Sequence, residues 1–243
     1  MTTPRLDIQK KGGSILGKAR LFVALLAFAA LAGCGKAEEE VPVLSAEQLQ
    51  QLQTRSESYS GMDVAQLQTD AEAQILAQEL FVAHCARCHG PDGSGGRGLS
   101  KAQKLVTGVF NYGSSEEAIR TTITEGRHSL MPALGATLGE VELGAMVAYV
   151  RGISTGEAPG TFDATAKEQF AEFCVKCHGL DARGNPAIGS ADLTDGYWQH
   201  GNSMMNVRLT ITRGVDAQCP AQAGIITAAE IELLVSRVLQ LRK

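Results

Sequence analysis

The sequence is poor in aromatic residues and has no excess of basic charge. Aromatic side chains make up 5% of the 243 residues and only one is tryptophan, a composition that suits small helical units better than a β-sandwich. The formal net charge is −4, and an acidic chain argues against nucleic acid as a partner. Hydrophobic residues still reach 44%, which is enough to build a core and argues against wholesale disorder.

A long apolar segment is also missing from the N-terminal region. The stretch "LFVALLAFAALAG" covers residues 21–33, and its 13 residues are short beside the about 20 that span a bilayer. It follows a basic start and ends in "LAGC", which resembles the cleavage motif of bacterial lipoproteins. We therefore predict a signal peptide over 1–33, a lipid on Cys34 and a location on the periplasmic side of a bacterial membrane. The alternatives are a soluble periplasmic protein and an uncleaved anchor.

The six cysteines are spaced for haem attachment rather than for disulfides. "CARCH" contains Cys85, Cys88 and His89, and "CVKCH" repeats the same spacing from Cys174. In C-x-x-C-H each thiol forms a thioether to one porphyrin, and the histidine is the proximal iron ligand. The second motif places Cys177 and His178 in the same roles. Two haem c groups are therefore the predicted cofactors.

Two other interpretations of these cysteines are weaker. One zinc ion could use both C-x-x-C pairs, but zinc does not require a histidine after each pair. A thioredoxin-like site requires a βαβ setting, and no alternating strand and helix pattern flanks the motifs. The repetition of the whole motif in a chain that is predicted to be exported favours haem.

The chain contains an internal repeat that singles out one further cysteine. "IRTTITEG" from Ile119 matches "VRLTITRG" from Val207 at an offset of 88 residues, and at that offset Met131 corresponds to Cys219. Each precedes a Pro-Ala pair, so the two sulfurs occupy the same slot of a duplicated unit. A distal iron ligand fits this slot, because a thioether is a soft donor that raises the haem potential whereas a thiolate lowers it.

Other sulfur ligands stay open for the second haem. Cys219 could instead be a bystander. The iron would then be five-coordinate or bound by Met204 or Met205, which begin a predicted helix near it. No metal ligand beyond His89, Met131, His178 and Cys219 is predicted, and no catalytic residue is assigned.

The motifs "FVAHCARCHG", "GRHSLMPA" and "FAEFCVKCHG" resemble the class I cytochrome c family, and in particular the dihaem subunit of cbb-type cytochrome c oxidases. The resemblance implies an all-α fold with two tandem domains, each a small helical bundle around one covalent haem c. The resemblance also implies that the last helix of each domain packs across the first helix of the same domain. Together with the repeat it implies His89/Met131 at the first haem and His178/Cys219 at the second.

The predicted organisation follows the repeat. A flexible tether over 34–69, within which "SAEQLQQLQ" is a spacer or a short helix capped at Ser45, leads to domain 1 at 70–155. A linker over 156–163 leads to domain 2 at 164–243. Helix starts are predicted from capping boxes at four positions, namely Ser114, Thr137, Thr165 and Thr227.

Three functions follow as hypotheses. The first is an electron carrier between a redox-protein donor and acceptor, with a terminal oxidase as one candidate partner. The second is an enzyme that oxidises thiosulfate or a related sulfur anion at a cysteine-ligated haem, with Arg208 and Arg213 as its anion pocket. The third is a gas or redox sensor with a displaceable ligand at the second haem.

Overall fold

The computed structural model describes residues 41–95, 102–156 and 164–242. The predicted signal peptide, Cys34 and most of the predicted linker lie outside the described residues. The α-helices are α1 Ala46–Ser56, α2 Val64–Thr69, α3 Ala71–His84, α4 Ala86–His89, α5 Glu116–Glu125, α6 Glu140–Thr155, α7 Ala164–Phe173, α8 Val175–His178, α9 Met204–Arg213 and α10 Ala228–Leu241. The described residues also form two strands, β1 Arg127–Met131 and β2 Val215–Cys219. There are two 3₁₀ turns among them, Glu57–Tyr59 and Leu105–Thr107. The predicted all-α class is confirmed.

Two of the predicted helix starts have the expected chemistry. Thr227 accepts from the backbone N–H of Glu230 while the Glu230 carboxylate accepts from the N–H of Thr227, so α10 begins with a complete capping box. Ser45 and Gln48 form the same arrangement before α1. Each box satisfies two backbone donors that the first helical turn leaves unpaired.

The other three predicted starts are wrong by one or more residues. Ser115 rather than Ser114 caps α5, since both serines are compatible with the local pattern. Gly139 rather than Thr137 precedes α6, and Thr165 lies inside α7. Because neighbouring small polar residues compete for one cap, the sequence defines these helices better than it defines their first residues.

The segment predicted as a flexible tether is folded from Ala46 onward, so that part of the prediction is wrong. Leu52 of α1 and Val64 and Leu67 of α2 are buried in the same core as α3. Their apolar faces were hidden in a glutamine-rich sequence whose overall polarity suggested a spacer. In the described residues no helix is long and apolar enough to cross a membrane.

The first core combines helices from both halves of the sequence. The predicted face of α3, with Leu76, Leu80 and Phe81, is fully buried. It packs against Leu233 and Leu234 of α10 rather than against α6. The C-terminal helix of the second repeat therefore completes the bundle that holds the first haem motif.

The second core contains the last helix of the first repeat. Val147 and Val150 of α6 are buried as predicted, but α6 packs on α7 and α9. The ring of Tyr149 on α6 lies 5.3 Å from that of Phe170 on α7. The expectation that each half keeps its own last helix is therefore wrong. The connection between the two halves carries each last helix into the bundle of the other half.

The connection is an antiparallel ribbon of β1 and β2, in which Arg127 pairs with Cys219 and Met131 with Val215. The helices around the first core are called the first unit and those around the second core the second unit. After β1 the chain joins the second unit, where the N–H of Leu134 donates to the carbonyl of Ile211 at 3.0 Å. After β2 it joins the first unit, where the N–H of Gln222 donates to the carbonyl of Ile123 at 3.0 Å. The chain from the first repeat therefore enters the second unit after β1, and the chain from the second repeat enters the first unit after β2.

Two glycines allow the backbones to approach closely at the crossing. Gly126 ends α5 with a φ of +72°, and a Cβ there would lie 2.5 Å from the carbonyl oxygen of Cys219. Gly214 ends α9 with a φ of +68°, and its Cβ would lie 2.3 Å from the carbonyl oxygen of Met131. Both positions therefore require glycine, for its positive φ and for its lack of a side chain.

An ion-pair network across the halves gives a first testable prediction. Arg120 on α5 donates from Nε and Nη2 to both carboxylate oxygens of Glu232 on α10, at 2.7 and 2.9 Å, and also pairs with Glu116 and Glu117. Arg120→Ala is expected to lower the free energy of unfolding by about 1 kcal/mol, because bidentate pairs are stronger than single exposed ones.

The measurement is a double-mutant cycle of Arg120→Ala and Glu232→Gln, followed by urea unfolding. Because the residues interact directly, the two changes are expected to be non-additive. Additive effects would argue against the contact between α5 and α10 and hence against the helix exchange.

Candidate haem sites

The first haem motif is positioned by a break between two helices. α3 ends at His84, Cys85 caps it, and the single turn of α4 presents Cys88 and His89. The turn stops at Gly90, whose φ of +74° reverses the chain. This geometry places two thiols one helical turn apart and sets the imidazole directly after them, which is the arrangement that a covalently attached porphyrin needs.

His89 is oriented as a neutral metal ligand. Its Nδ1 lies 2.9 Å from the carbonyl oxygen of Gln103, and since a carbonyl only accepts, Nδ1 carries the proton. Burial lowers the pKa of His89 below its usual value, and the hydrogen bond to Gln103 only partly opposes this effect. Nε2 is therefore left with its lone pair free to bind iron.

The second motif repeats this design. Cys174 lies between α7 and α8, and α8 carries Cys177 and His178. Nδ1 of His178 lies 2.9 Å from the carbonyl oxygen of Ala191, and burial is again the main reason why its pKa is lowered. The hydroxyl of Ser190 donates to the carbonyl of Cys177 at 2.6 Å, which fixes the loop that supports the histidine.

The first attachment thiol of each motif lies in apolar surroundings that suit a porphyrin edge. In the chain without haem, burial raises the pKa of the Cys85 thiol to about 12 and that of Cys174 to about 11. Cys85 packs against the first core and Cys174 against the second. The four thiols therefore form two separate sites, which is the outcome expected for two haems and not for one shared zinc ion.

The structure places Cys219 at the first motif, opposite to the predicted pairing. Burial and then the nearby thiols of Cys219 and Cys88 raise the pKa of Cys85, whereas burial and then the thiol of Cys177 raise the pKa of Cys174. The loop that follows Cys219 is hydrogen-bonded to α5 of the first unit. The expectation that Cys219 lies at the second motif is therefore wrong, because β2 carries it across the ribbon.

Met131 lies in the other unit, with the second core. Its partly buried side chain packs against the second core, together with Leu134 and Trp198. The loop that follows it is hydrogen-bonded to α9. The residue that was predicted to serve the first haem lies with Cys174 and the second haem motif instead.

The alternative ligands gain no support from the geometry. Met204 and Met205 lie in the first turn of α9 with 47% and 61% of their surfaces exposed. His128 is exposed on the outer face of β1, where its Nε2 lies 2.8 Å from Asp216. By contrast, Cys219 lies near the thiols of the first motif, and Met131 packs against the core that holds Cys174.

The anion pocket of the sulfur-enzyme hypothesis is not assembled around Cys219. Arg208 is paired with Glu140, and Arg213 is exposed at the end of α9. Both belong to the helix that contacts the Met131 loop. The basic residue that does neighbour Cys219 is Arg127, whose charge lowers the pKa of that thiol while burial, the larger effect, raises it.

The histidine-holding carbonyls of Gln103 and Ala191 were not predicted. Both interactions use the backbone, so no residue type signals them. The 88-residue offset between the two carbonyls matches the repeat and is the signal that could have located one from the other.

Two C-x-x-C-H turns, each in its own helical core with an oriented histidine, define a dihaem cytochrome of the class I c type. The chain carries two covalently attached haem c groups. The sequence model for subunit III of the cbb3-type cytochrome c oxidase matches residues 73–150 and 163–236. The chain belongs to this family.

Curated relatives agree with this assignment. The CcoP subunit of the cbb3-type oxidase of Rubrivivax gelatinosus is 34% identical over 169 residues, which cover 69% of this chain and 54% of that protein. The FixP subunit of Azorhizobium caulinodans is 33% identical over 172 residues, covering 67% and 57%. The chain therefore spans little more than half the length of these relatives.

Proposed function

We propose that this chain is an exported electron-transfer protein, in which His89 and Cys219 ligate the first haem and His178 and Met131 the second. Two observations support this: the Cys219 thiol lies near the thiols of the first motif, and Met131 packs against the core that holds Cys174. Each iron would then have a histidine on one side and a sulfur on the other. A site closed in this way suits electron transfer, because little reorganises when the charge changes.

The residues of the two sites give them different tasks. The haem supplies the one-electron chemistry when it is bound. Cys219, as an anionic thiolate, favours the oxidised state of its site, and Met131, as a neutral thioether, favours the reduced state of the other. We infer that the second site has the higher potential and is reduced first.

The partner is inferred from the relatives. CcoP and FixP are named as subunits of cbb3-type oxidases, so a terminal oxidase of this type is the proposed electron acceptor or assembly partner. A second redox protein supplies the electrons. The predicted lipid on Cys34 would hold the chain at the periplasmic side of a membrane.

The test is low-temperature EPR spectroscopy of the fully oxidised protein with both haems attached. We expect one thiolate-type and one His/Met-type low-spin signal. After reduction, carbon monoxide at a concentration equal to that of the protein is expected to bind tightly to neither iron. The reduced protein is then expected to support oxygen consumption by a cbb3 oxidase.

Other outcomes would point to the other hypotheses. A high-spin signal with tight carbon monoxide binding would contradict the electron-carrier proposal and favour a sensor. Reduction of the haems by thiosulfate alone would favour the sulfur-oxidising enzyme. Two His/Met-type signals would leave electron transfer intact but reject Cys219 as a ligand.

A further inference from the structure

The residues that pair with Cys219 and Met131 in the ribbon differ in charge, because one is a cation and the other is uncharged. Arg127 pairs with Cys219 and Val215 pairs with Met131. Along both strands the first, third and fifth residues are partly buried while the second and fourth are exposed. Paired residues of an antiparallel ribbon point to the same face, so the side chain of Arg127 shares the inner face with Cys219. Val215 shares that face with Met131.

Arg127 is held in place by uncharged groups. Its guanidinium lies 4.9 Å from the ring centroid of Tyr112, and its Nε donates to the hydroxyl of Thr122 at 3.1 Å. Within the described part of the chain no carboxylate pairs with Arg127. A partly buried cation is therefore oriented next to the cysteine without an acidic partner of its own.

The two sulfur ligands differ in what they need from their surroundings. A thiolate is an anion, and an anion that is removed from water is destabilised unless a cation lies nearby. A thioether is neutral and is compatible with an apolar neighbour such as valine. The repeat equivalence of Arg127 with Val215 is therefore informative, because each residue suits the sulfur that the exchanged chain places opposite it.

We propose that Arg127 is the positioning residue that stabilises Cys219 as a thiolate ligand of the first haem. Val215 is its uncharged counterpart at the second haem. This inference rests on the proposed ligation by Cys219 and adds the residue that maintains it. It also explains why the arginine lies in the first repeat although the cysteine lies in the second.

The experiment measures how easily imidazole, a neutral iron ligand, displaces Cys219 in the oxidised holoprotein. Release of a thiolate removes a negative charge from the site, whereas release of a thioether does not. Arg127→Val is therefore expected to lower, by about tenfold, the imidazole concentration that halves the thiolate-type EPR signal. Arg127→Lys, which keeps the charge, is expected to retain most of the parent resistance.

Two controls separate this role from packing. In the Cys219→Met background, Arg127→Val is expected to change imidazole affinity, followed by absorbance, by less than about twofold, because no charge is lost there. Arg213→Val removes an exposed positive charge from α9 and is expected to leave the thiolate signal unaffected. Arg127→Gln serves if the valine variant does not fold, since it keeps a polar side chain beside Tyr112.

Each result decides between specific possibilities. Equal effects of Arg127→Val in the cysteine and methionine backgrounds would overturn the inference and assign Arg127 to packing or to the haem carboxylates. A thiolate signal that does not respond to Arg127→Val would overturn this inference alone. If the parent shows no thiolate signal, the proposed ligation fails and the role of Arg127 fails with it.

Discussion

Cys219→Met is expected to raise the reduction potential of the first haem by a few tenths of a volt, while the potential of the second haem changes little. Axial ligands set haem potentials over roughly 0.8 V, and exchanging an anionic thiolate for a neutral thioether removes charge that favours the oxidised state. The measurement is a redox titration in which each potential is followed by EPR. Met131→Cys is the matched control and is expected to lower the potential of the second haem.

EPR spectroscopy of a second variant tests which haem each sulfur ligates. In a variant with Cys85→Ser and Cys88→Ser, which removes the first attachment site, the thiolate-type signal is expected to vanish and the His/Met-type signal to remain. The opposite result, loss of the His/Met-type signal, would restore the pairing expected from the linear repeat and contradict the crossing at the ribbon.

The second large effect concerns the exchanged helices. Leu234→Ala on α10 and Met146→Ala on α6 each remove a fully buried side chain and are expected to lower the free energy of unfolding by about 2–5 kcal/mol. Because α10 packs in the first core, Leu234→Ala is expected to weaken the site of the first haem. Met146→Ala is expected to weaken the site of the second haem, although Met146 lies in the first repeat.

Denaturant unfolding followed separately at the two EPR signals distinguishes these effects. Leu180→Ala is the control, because Leu180 is 89% exposed and its truncation is expected to change the free energy of unfolding by less than about 0.5 kcal/mol. If Leu234→Ala destabilised the signal of the second haem first, each repeat would keep its own last helix and the exchanged packing would be wrong.

The exchange also bears on how the protein transfers electrons. Cys219 and Met131 lie on one face of the same ribbon, at its two ends. Four residue steps of extended chain separate these ends by about 14 Å. A single pair of strands thus carries both proposed distal ligands, so the two haem motifs belong to one folded body.

Much of this protein is readable from short-range patterns. The C-x-x-C-H spacing is local chemistry, so it determined the two haems and their histidines. The apolar periodicity of α3 and α6 likewise determined which of their residues are buried. The folded segment around Leu52 and Leu67 was missed, since isolated apolar residues among glutamines become a core face only when another helix covers them.

The sequence by itself determined the class of protein, the number of haems and the equivalence of Met131 and Cys219. Only the tertiary structure decided which unit each sulfur joins. A linear alignment assigns each sulfur to the motif of its own repeat, because it carries no information on how the two repeats pack. The choice depends on long-range contacts, namely the β1–β2 register and the packing of α10 on α3 and of α6 on α7 and α9. Those contacts place Arg127 opposite the cysteine and Val215 opposite the methionine, a match of charge that is invisible while the halves are considered separately.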